Sequence, residues 1–139
     1  MTTMPTNAVR PKLSVASAAR AIAFYRQTLG ATEVVRYADG DRVVLAEIDV
    51  LGTRVTLKDA DEHDPAPGPD RPGPILDVVT DTPDAYADRM AAAGAEVVFP
   101  VQDQPYGARG GRVRDPFGVQ WLLQTPVTLG PEELGMAGG

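Results

Sequence analysis

The two side chains most often used as nucleophiles, metal ligands and general bases, cysteine and histidine, are almost absent from this sequence. The chain of 139 residues contains no cysteine and a single histidine, His63. These counts exclude disulfides, thiolate chemistry, cysteine-ligated zinc and any site that needs two imidazoles from one chain. Many classes of enzyme are therefore excluded before any element is placed.

The single histidine lies in an acidic, proline-rich segment, residues 59–74, next to Glu62 and Asp64. A solvated side chain is more common in such a segment than a catalytic base. The carboxylates of this segment could bind calcium weakly, but a run of charge in a linker is more often simply solvated. So many prolines cannot continue a strand, which predicts a partly extended linker that divides the chain.

Charge and composition restrict the possible partners and location. The formal net charge is −6, from 13 basic and 19 acidic residues, so nucleic acids and anionic membranes are poor partners. No stretch is long and apolar enough to span a membrane, and the N-terminus lacks the apolar region of a secretion signal, so we expect a cytoplasmic protein. With 43% hydrophobic residues, residues 1–139 should form a single domain that ends in a tail, residues 126–139.

The first module, residues 10–58, is predicted to have the order βαβββ. Ser17 is a candidate N-cap for the helix and Gly30 a candidate terminator. The pair Asp39-Gly40 predicts a tight hairpin turn. The predicted elements are a strand at Lys12–Val15, a helix at Ala18–Leu29, and strands at Glu33–Tyr37, Arg42–Ile48 and Thr53–Lys58.

The second module, residues 75–125, repeats this order. Thr82 is predicted to cap a helix that starts at Pro83 and is ended by Gly94. The turn Asp115-Pro116-Phe117-Gly118 joins the last two strands. The strands are predicted at Ile75–Val79, Glu96–Phe99, Arg112–Arg114 and Val119–Gln124. A sequence echo between residues 30–35 and 94–98 supports an internal repeat of roughly sixty residues.

Residues 10–125 resemble the vicinal oxygen chelate superfamily of glyoxalases, bleomycin-resistance proteins and extradiol dioxygenases. The resemblance rests on Ala21-Ile22-Ala23-Phe24-Tyr25 with Leu29-Gly30, on the paired βαβββ order, and on the Asp115–Gly118 turn followed by Trp121. It implies an α+β fold of two βαβββ modules, each a four-stranded mixed sheet covered by one helix, that together form a concave ligand cavity. It also implies a homodimer, since open sheets leave edges and a concave face that a twofold partner can cover.

Metal-dependent members of that family place one ligand near the start of each module's first strand and another in each last strand. The matching positions here are Arg10 or Lys12, Thr56, Ile75 and Leu122. A divalent cation needs several oxygen or imidazole donors, which Arg, Ile and Leu cannot provide. A register shift of two residues brings in Ser14, Asp77, Gln120 or Gln124, which adds only one carboxylate. The resemblance is therefore to the metal-free, bleomycin-resistance-like branch, with no metal and no cofactor expected.

Strand alternation predicts which side chains line the cavity. If Leu122 faces it, Gln120 and Gln124 do so too, while Trp121 and Leu123 point toward the helix. Tyr37, Tyr106 and Phe117 fall at strand ends or in loops, where a ring could stack on a flat ligand, although each aromatic, above all Trp121, could equally pack in the core. The predicted ligand-binding residues are Lys12, Tyr37, Thr56, Ile75, Asp77, Tyr106, Phe117, Gln120, Trp121 and Leu122.

Such a mixed lining suits a large amphipathic organic molecule. We expect a metal-independent binding protein, and the resemblance to bleomycin-resistance proteins implies sequestration of an aromatic or glycopeptide-type antibiotic in self-resistance. The alternative is a metal-free lyase, isomerase or cyclase of secondary metabolism, with Asp77, Glu47 or Tyr106 as acid or base. A metal-dependent glyoxalase or dioxygenase-type enzyme ranks third, and a purely structural interaction module ranks last.

Overall fold

The computed structural model describes residues 7–136, which divide into two compact units at Ala66 and Pro67. The end of the predicted tail, residues 137–139, lies outside the described residues. Unit 1 contains β1 (Lys12–Val15), α1 (Ala18–Leu29), β2 (Thr32–Asp39), β3 (Arg42–Val50) and β4 (Thr53–Asp59). Unit 2 contains β5 (Ile75–Val79), α2 (Pro83–Ala92), β6 (Glu96–Asp103), β7 (Arg109–Arg114) and β8 (Gln120–Gln124).

The two units have the same topology. The strand order is β1-β4-β3-β2 in unit 1 and β5-β8-β7-β6 in unit 2, with a parallel first pair and antiparallel pairs after it. Each unit thus has a four-stranded mixed sheet and one helix. The α+β class and the two βαβββ modules predicted from the sequence are confirmed.

Helix α1 begins and ends where the sequence predicts. The Ser17 side chain accepts a hydrogen bond from the Arg20 amide, and Gly30 ends the helix at φ +67°, a conformation that favours glycine. Ile22, Tyr25 and Leu29 are buried between the helix and the sheet. The core of unit 1 therefore lies on the helix side of its sheet, where β1, β3 and β4 contribute Leu13, Val15, Val43, Ala46, Ile48, Val50, Val55 and Leu57.

Asp59 is part of the folded core of unit 1 and not of the linker, residues 59–74, in which the sequence analysis placed it. It is the last residue of β4, and its carboxylate accepts hydrogen bonds from the Ala18 amide at 2.7 Å and the Val43 amide at 2.9 Å. The carboxylate therefore satisfies a free donor at the start of α1 and ties the helix to β3. A boundary drawn from charge and proline content cannot detect such a contact.

The start of α2 differs from the prediction in one respect. Thr82 occupies the N-cap position and Pro83 the first position, but the Thr82 side chain makes no capping hydrogen bond and lies 3.4 Å from the Thr80 hydroxyl. The helix ends at Ala92, and Gly94 adopts φ +113° just beyond it. Pro83, Ala87 and Met90 form its buried face.

Strand β6 is longer than predicted, because it continues through Pro100 to Asp103. It is an edge strand, where a proline costs no ladder hydrogen bond, and its register with β7 shifts between Phe99 and Gln102. Gly111 of β7 permits this irregularity, since a Cβ there would lie 2.6 Å from the Phe99 carbonyl oxygen.

Neither helix of the described residues has the length and apolar character needed to cross a membrane.

Candidate functional site

Each sheet has one face covered by its own helix and one face that points away from it. In unit 1 the uncovered face carries the alternate residues Lys12, Ser14, Arg54, Thr56 and Lys58, as strand alternation predicts. In unit 2 it carries Ile75, Asp77 and Val79 together with Arg112 and Leu122. These two faces differ in how their polar groups are satisfied.

The uncovered face of unit 1 is occupied by an ion-pair network. Glu47 accepts hydrogen bonds from Arg10 at 3.0 Å and from Arg54 at 3.1 Å. Arg54 also pairs with Asp49, and this hydrogen bond is the largest cause of a raised Arg54 pKa. Because Glu47 is held between two guanidinium groups, its carboxylate is already committed to partners within the unit.

A second charged cluster on this face involves the linker. The Lys58 ammonium group donates to Asp61 at 2.7 Å and to Asp64 at 2.8 Å. The hydrogen bond from Lys58, supported by the backbone amides of Asp64 and His63, holds the pKa of Asp61 well below its usual range. These acidic residues are therefore structural partners of Lys58, whereas the sequence predicted that the run would be simply solvated.

The uncovered face of unit 2 contains a cavity of about 340 Å³. Phe99, Tyr106 and Leu122 give it apolar and aromatic walls, and Gln102, Gln104 and Arg112 supply polar groups. Pro100, Gly110 and Gly111 complete the lining. A pocket of this size with a few polar groups among apolar ones suits a small organic molecule.

The loop that carries Tyr106 is held in place from several directions. Gln104 N–H donates to the Ala108 carbonyl and Gly107 N–H to the Gln104 carbonyl, which closes a tight turn. The Gln104 side chain donates to the Gly110 carbonyl at 3.0 Å, and Thr128 from the tail donates to the Gly107 carbonyl at 2.7 Å. The wall that presents Tyr106 is therefore fixed by hydrogen bonds on both sides.

Arg112 is the charged residue of the cavity. Its guanidinium carbon lies 5.6 Å from the centre of the Phe99 ring, a cation–π distance. Its Nε is buried and, among the described residues, has no hydrogen-bond partner. Neighbouring arginines of the same strand are paired differently: Arg109 pairs with Asp84 and Asp103, and Arg114 with Glu96.

Among the predicted ligand-binding residues, the cavity brings together Tyr106 and Leu122. Asp77 is the register partner of Leu122 and Ile75 that of Gln120, so both lie on adjacent β5. Gln120 is only 7% exposed, and its amide lies 3.4 Å from the Gly73 carbonyl. Phe117 is in the turn at the other end of β7 from Tyr106. Lys12, Tyr37 and Thr56 belong to unit 1 and are not part of this cavity.

Trp121 lies on the helix side of the unit 2 sheet, as the strand alternation predicts. It is 2% exposed, and its indole Nε1–H donates to the buried carboxylate of Asp115 at 2.9 Å. The same carboxylate accepts from the Phe117 and Val119 amides, which fixes the turn. This placement argues against direct contact between the Trp121 ring and a ligand, and assigns Asp115 a structural role.

Sequence reasoning missed most of the cavity, notably Phe99, Gln102, Gln104 and Arg112. Two signals could have indicated them. Arg112 is the register partner of Leu122 and so shares its face, and the adjacent glycines of β7 are typical of a place where chains approach closely. Neither signal shows that β6 continues beyond Pro100.

The four positions at which the sequence resemblance implies metal ligands do not fit a divalent cation. Lys12 and Thr56 are register partners in unit 1, and Ile75 and Leu122 lie on the neighbouring strands β5 and β8 of unit 2; none of these four side chains is a carboxylate or an imidazole. Residues 7–136 contain no group of three or more His, Cys, Asp or Glu side chains that could hold a metal ion. His63 has an 86% exposed side chain and lies 3.8 Å from Glu62. A metal-free site stays a prediction that metal analysis can test.

Comparison with known families gives one match that covers most of the chain. Residues 7–123 match the sequence model of the glyoxalase/bleomycin resistance protein/dioxygenase superfamily. Uncharacterized proteins of Mycobacterium bovis and Mycobacterium tuberculosis are 37% identical over 128 residues, 86% of this chain. The match covers 84% of the first protein and 75% of the second.

Solved structures show the same fold at lower identity. TioX from Micromonospora sp. ML1 is similar with a TM-score of 0.68 and 24% identity, over 85% of this chain and 98% of TioX. The fosfomycin resistance protein FosX from Listeria monocytogenes is similar with a TM-score of 0.66 and 19% identity, over 94% of this chain and 98% of FosX. These likenesses concern the fold.

Proposed function

Because the chain belongs to the glyoxalase/bleomycin resistance protein/dioxygenase superfamily, we propose that it binds a small aromatic molecule without a metal ion. The single observation that carries the proposal is the cavity of unit 2, with Tyr106, Phe99 and Leu122 around the Arg112 guanidinium. Apolar rings supply affinity for a planar molecule, and a few polar groups fix its orientation. Binding therefore needs no bound cation.

The ligand we propose is an aromatic or glycopeptide-type antibiotic, and the physiological role is sequestration of that drug in self-resistance. The similarity to FosX, which is described as a fosfomycin resistance protein, supports a resistance role, although that likeness concerns the fold. Contact of the ligand with residues of both units, and a homodimer in solution, stay predictions.

Sequestration is preferred to acid–base catalysis because one of the three candidate catalytic groups lines the cavity. Glu47 is paired with Arg10 and Arg54 in unit 1, and Asp77 lies outside the residues that line the cavity. Tyr106 is the candidate acid or base that lines it. A lyase, isomerase or cyclase would need a second positioned group near the reacting atoms.

Substitution of Tyr106 tests the proposal directly. Tyr106→Ala should weaken binding of an aromatic antibiotic by about 1 to 3 kcal/mol through lost stacking and apolar burial, with little change in the melting temperature of the free protein. Calorimetric titration measures the affinity. The emission of Trp121, the only tryptophan, should also change, because the neighbouring Leu122 lines the cavity.

Tyr86→Ala is the matched control, since Tyr86 lies on α2 and does not line the cavity. It should leave affinity unchanged. If Tyr106→Ala binds as tightly as the native protein while substitutions in residues 59–74 abolish binding, the acidic linker is the binding element and the proposal is wrong.

A further inference from the structure

Within the cavity of unit 2, we infer that Arg112 is an anchor for an anionic group, so the ligand class is a planar aromatic molecule bearing a carboxylate. This inference rests on the proposed function, because it specifies the chemistry of the molecule held at the same site. Under this inference, Arg112 distinguishes anionic from neutral aromatic molecules, which the apolar and aromatic walls of the cavity cannot do.

The first step is the pairing of the arginines in the unit 2 sheet. Arg112 and Arg114 stand at alternate positions of β7 and therefore share one side of the strand, whereas Arg109 lies on the other side. Arg109 is bonded to Asp84 through two nitrogens, both at 2.8 Å, and Arg114 is bonded to Glu96 at 2.6 Å. Arg112, between them, has no carboxylate partner among the described residues, in a chain whose formal charge is −6.

The second step is the cost of leaving this group unsatisfied. A buried donor without an acceptor destabilises the folded state unless something else completes it, and the cost is larger for a charged group. The Nε of Arg112 is such a donor. Nε itself lies beneath the surface, so a ligand in the cavity meets the guanidinium group through its terminal nitrogens, and an anion there balances a charge that no carboxylate of the described residues balances.

The third step is geometry. A guanidinium group is planar and offers a fork of N–H donors that matches the two oxygens of a carboxylate. The guanidinium carbon lies over the Phe99 ring, 5.6 Å from its centre, so the ring contributes one wall beside this group. Tyr106 and Leu122 line the same cavity, whose volume of about 340 Å³ suits a fused aromatic ring beside the carboxylate.

The experiment compares naphthoate with naphthamide, two probes of the same ring and similar size that differ in charge. Native protein should bind naphthoate more tightly than naphthamide. Arg112→Gln should weaken naphthoate binding about tenfold or more, the range expected for a charge-assisted hydrogen bond, and leave naphthamide binding unchanged. Arg114→Gln, on the same side of the same strand but paired with Glu96, should change neither affinity.

An NMR measurement on the native protein covers the case in which Arg112→Gln does not fold. The resonance of the Arg112 Nε–H group should shift farther on titration with naphthoate than with naphthamide, because only the carboxylate pairs with the guanidinium group of which Nε is part. Arg112→Lys identifies this resonance by its loss.

Equal affinity of the native protein for both probes, or an equal loss of both in Arg112→Gln, would overturn the anchoring role and leave the proposed aromatic binding intact. Absence of binding of either probe up to its solubility limit would also overturn the inference. The proposed function is judged separately, by binding of natural-product antibiotics to the native protein.

Discussion

At the scale of single residues, Asp115 organises the hairpin that precedes β8. Its buried carboxylate accepts hydrogen bonds from two backbone amides and from the Trp121 indole. An acceptor that serves three donors cannot be replaced by a side chain of the same shape without leaving one donor unsatisfied. The turn and the buried tryptophan are therefore stabilised by one group.

Asp115→Asn tests this role. The asparagine oxygen can still accept from the turn amides, but its NH₂ group would then face the indole N–H, so we expect the free energy of unfolding to fall by about 1 to 3 kcal/mol. Urea denaturation measures the change. Asp81→Asn, at an exposed position of the same unit, should be neutral, and a neutral Asp115→Asn would contradict the assigned role.

Asp61 gives unit 1 a pH dependence. Its pKa is lowered in the folded state, chiefly by the hydrogen bond from Lys58, so its contribution to stability is present above the unfolded pKa, about 3.9, and is lost as pH falls through the folded value. Asp61→Asn should therefore be less stable than the native protein near neutral pH.

The difference between Asp61→Asn and native protein should shrink as pH falls below about 4. Thermal melts across this pH range measure it. Asp70→Asn, an exposed aspartate in the same linker, serves as the control and should follow the native curve. A constant difference between Asp61→Asn and native protein over the whole range would refute the ionic explanation.

At the scale of elements, the irregular edge strand β6 depends on the glycine beneath it. A Cβ at Gly111 would lie 2.6 Å from the Phe99 carbonyl oxygen and 2.7 Å from the Val101 nitrogen, both backbone atoms that cannot easily move. Gly111→Ala should therefore destabilise the fold by about 1 to 3 kcal/mol through overpacking. Gly68→Ala, where a Cβ meets nothing within 4 Å, is the control for urea denaturation. Equal stability of both variants would show that β6 can shift without cost.

The helices and hairpins were predictable because their signals are local. Ser17, Gly30 and the Asp39-Gly40 turn act through bonds to residues a few positions away, and the structure confirms each of these elements. Most of the cavity was not predictable, because it depends on Pro100 lying in an edge strand and on a register shift opposite Gly111. An edge position and a register shift both depend on which strands pair in the sheet, and strand pairing is not a local property of the sequence.

The site itself was predicted only in part for the same reason. Tyr106 and Leu122 were found from loop position and alternation, whereas Arg112 stands out because its Nε has no hydrogen-bond partner within residues 7–136. A sequence shows which charges exist but not which of them pair. Arg112 and Arg114 are equivalent in the sequence, and only the contacts of the described residues show that Arg114 pairs with Glu96 while the Nε of Arg112 has no partner.

At the scale of the whole molecule, we predict a homodimer. The strands at the edges of each sheet are paired on one side only. Strand β6 of unit 2 is an example, and a partner chain can cover such an edge. Sedimentation velocity at micromolar concentration should give a species of twice the chain mass, and a single species of chain mass would contradict the prediction.

Metal-independent binding of an aromatic molecule is tested most directly by thermal melting of protein dialysed against EDTA, with a panel of aromatic and glycopeptide-type antibiotics. A true ligand at about a hundred times its Kd should stabilise the fold by about 2.7 kcal/mol, a readily measured rise in melting temperature. We predict such a saturable rise without added metal, with the compound recovered unchanged. Stabilisation that appears only when a divalent cation is restored, or a compound that is converted, would contradict the account.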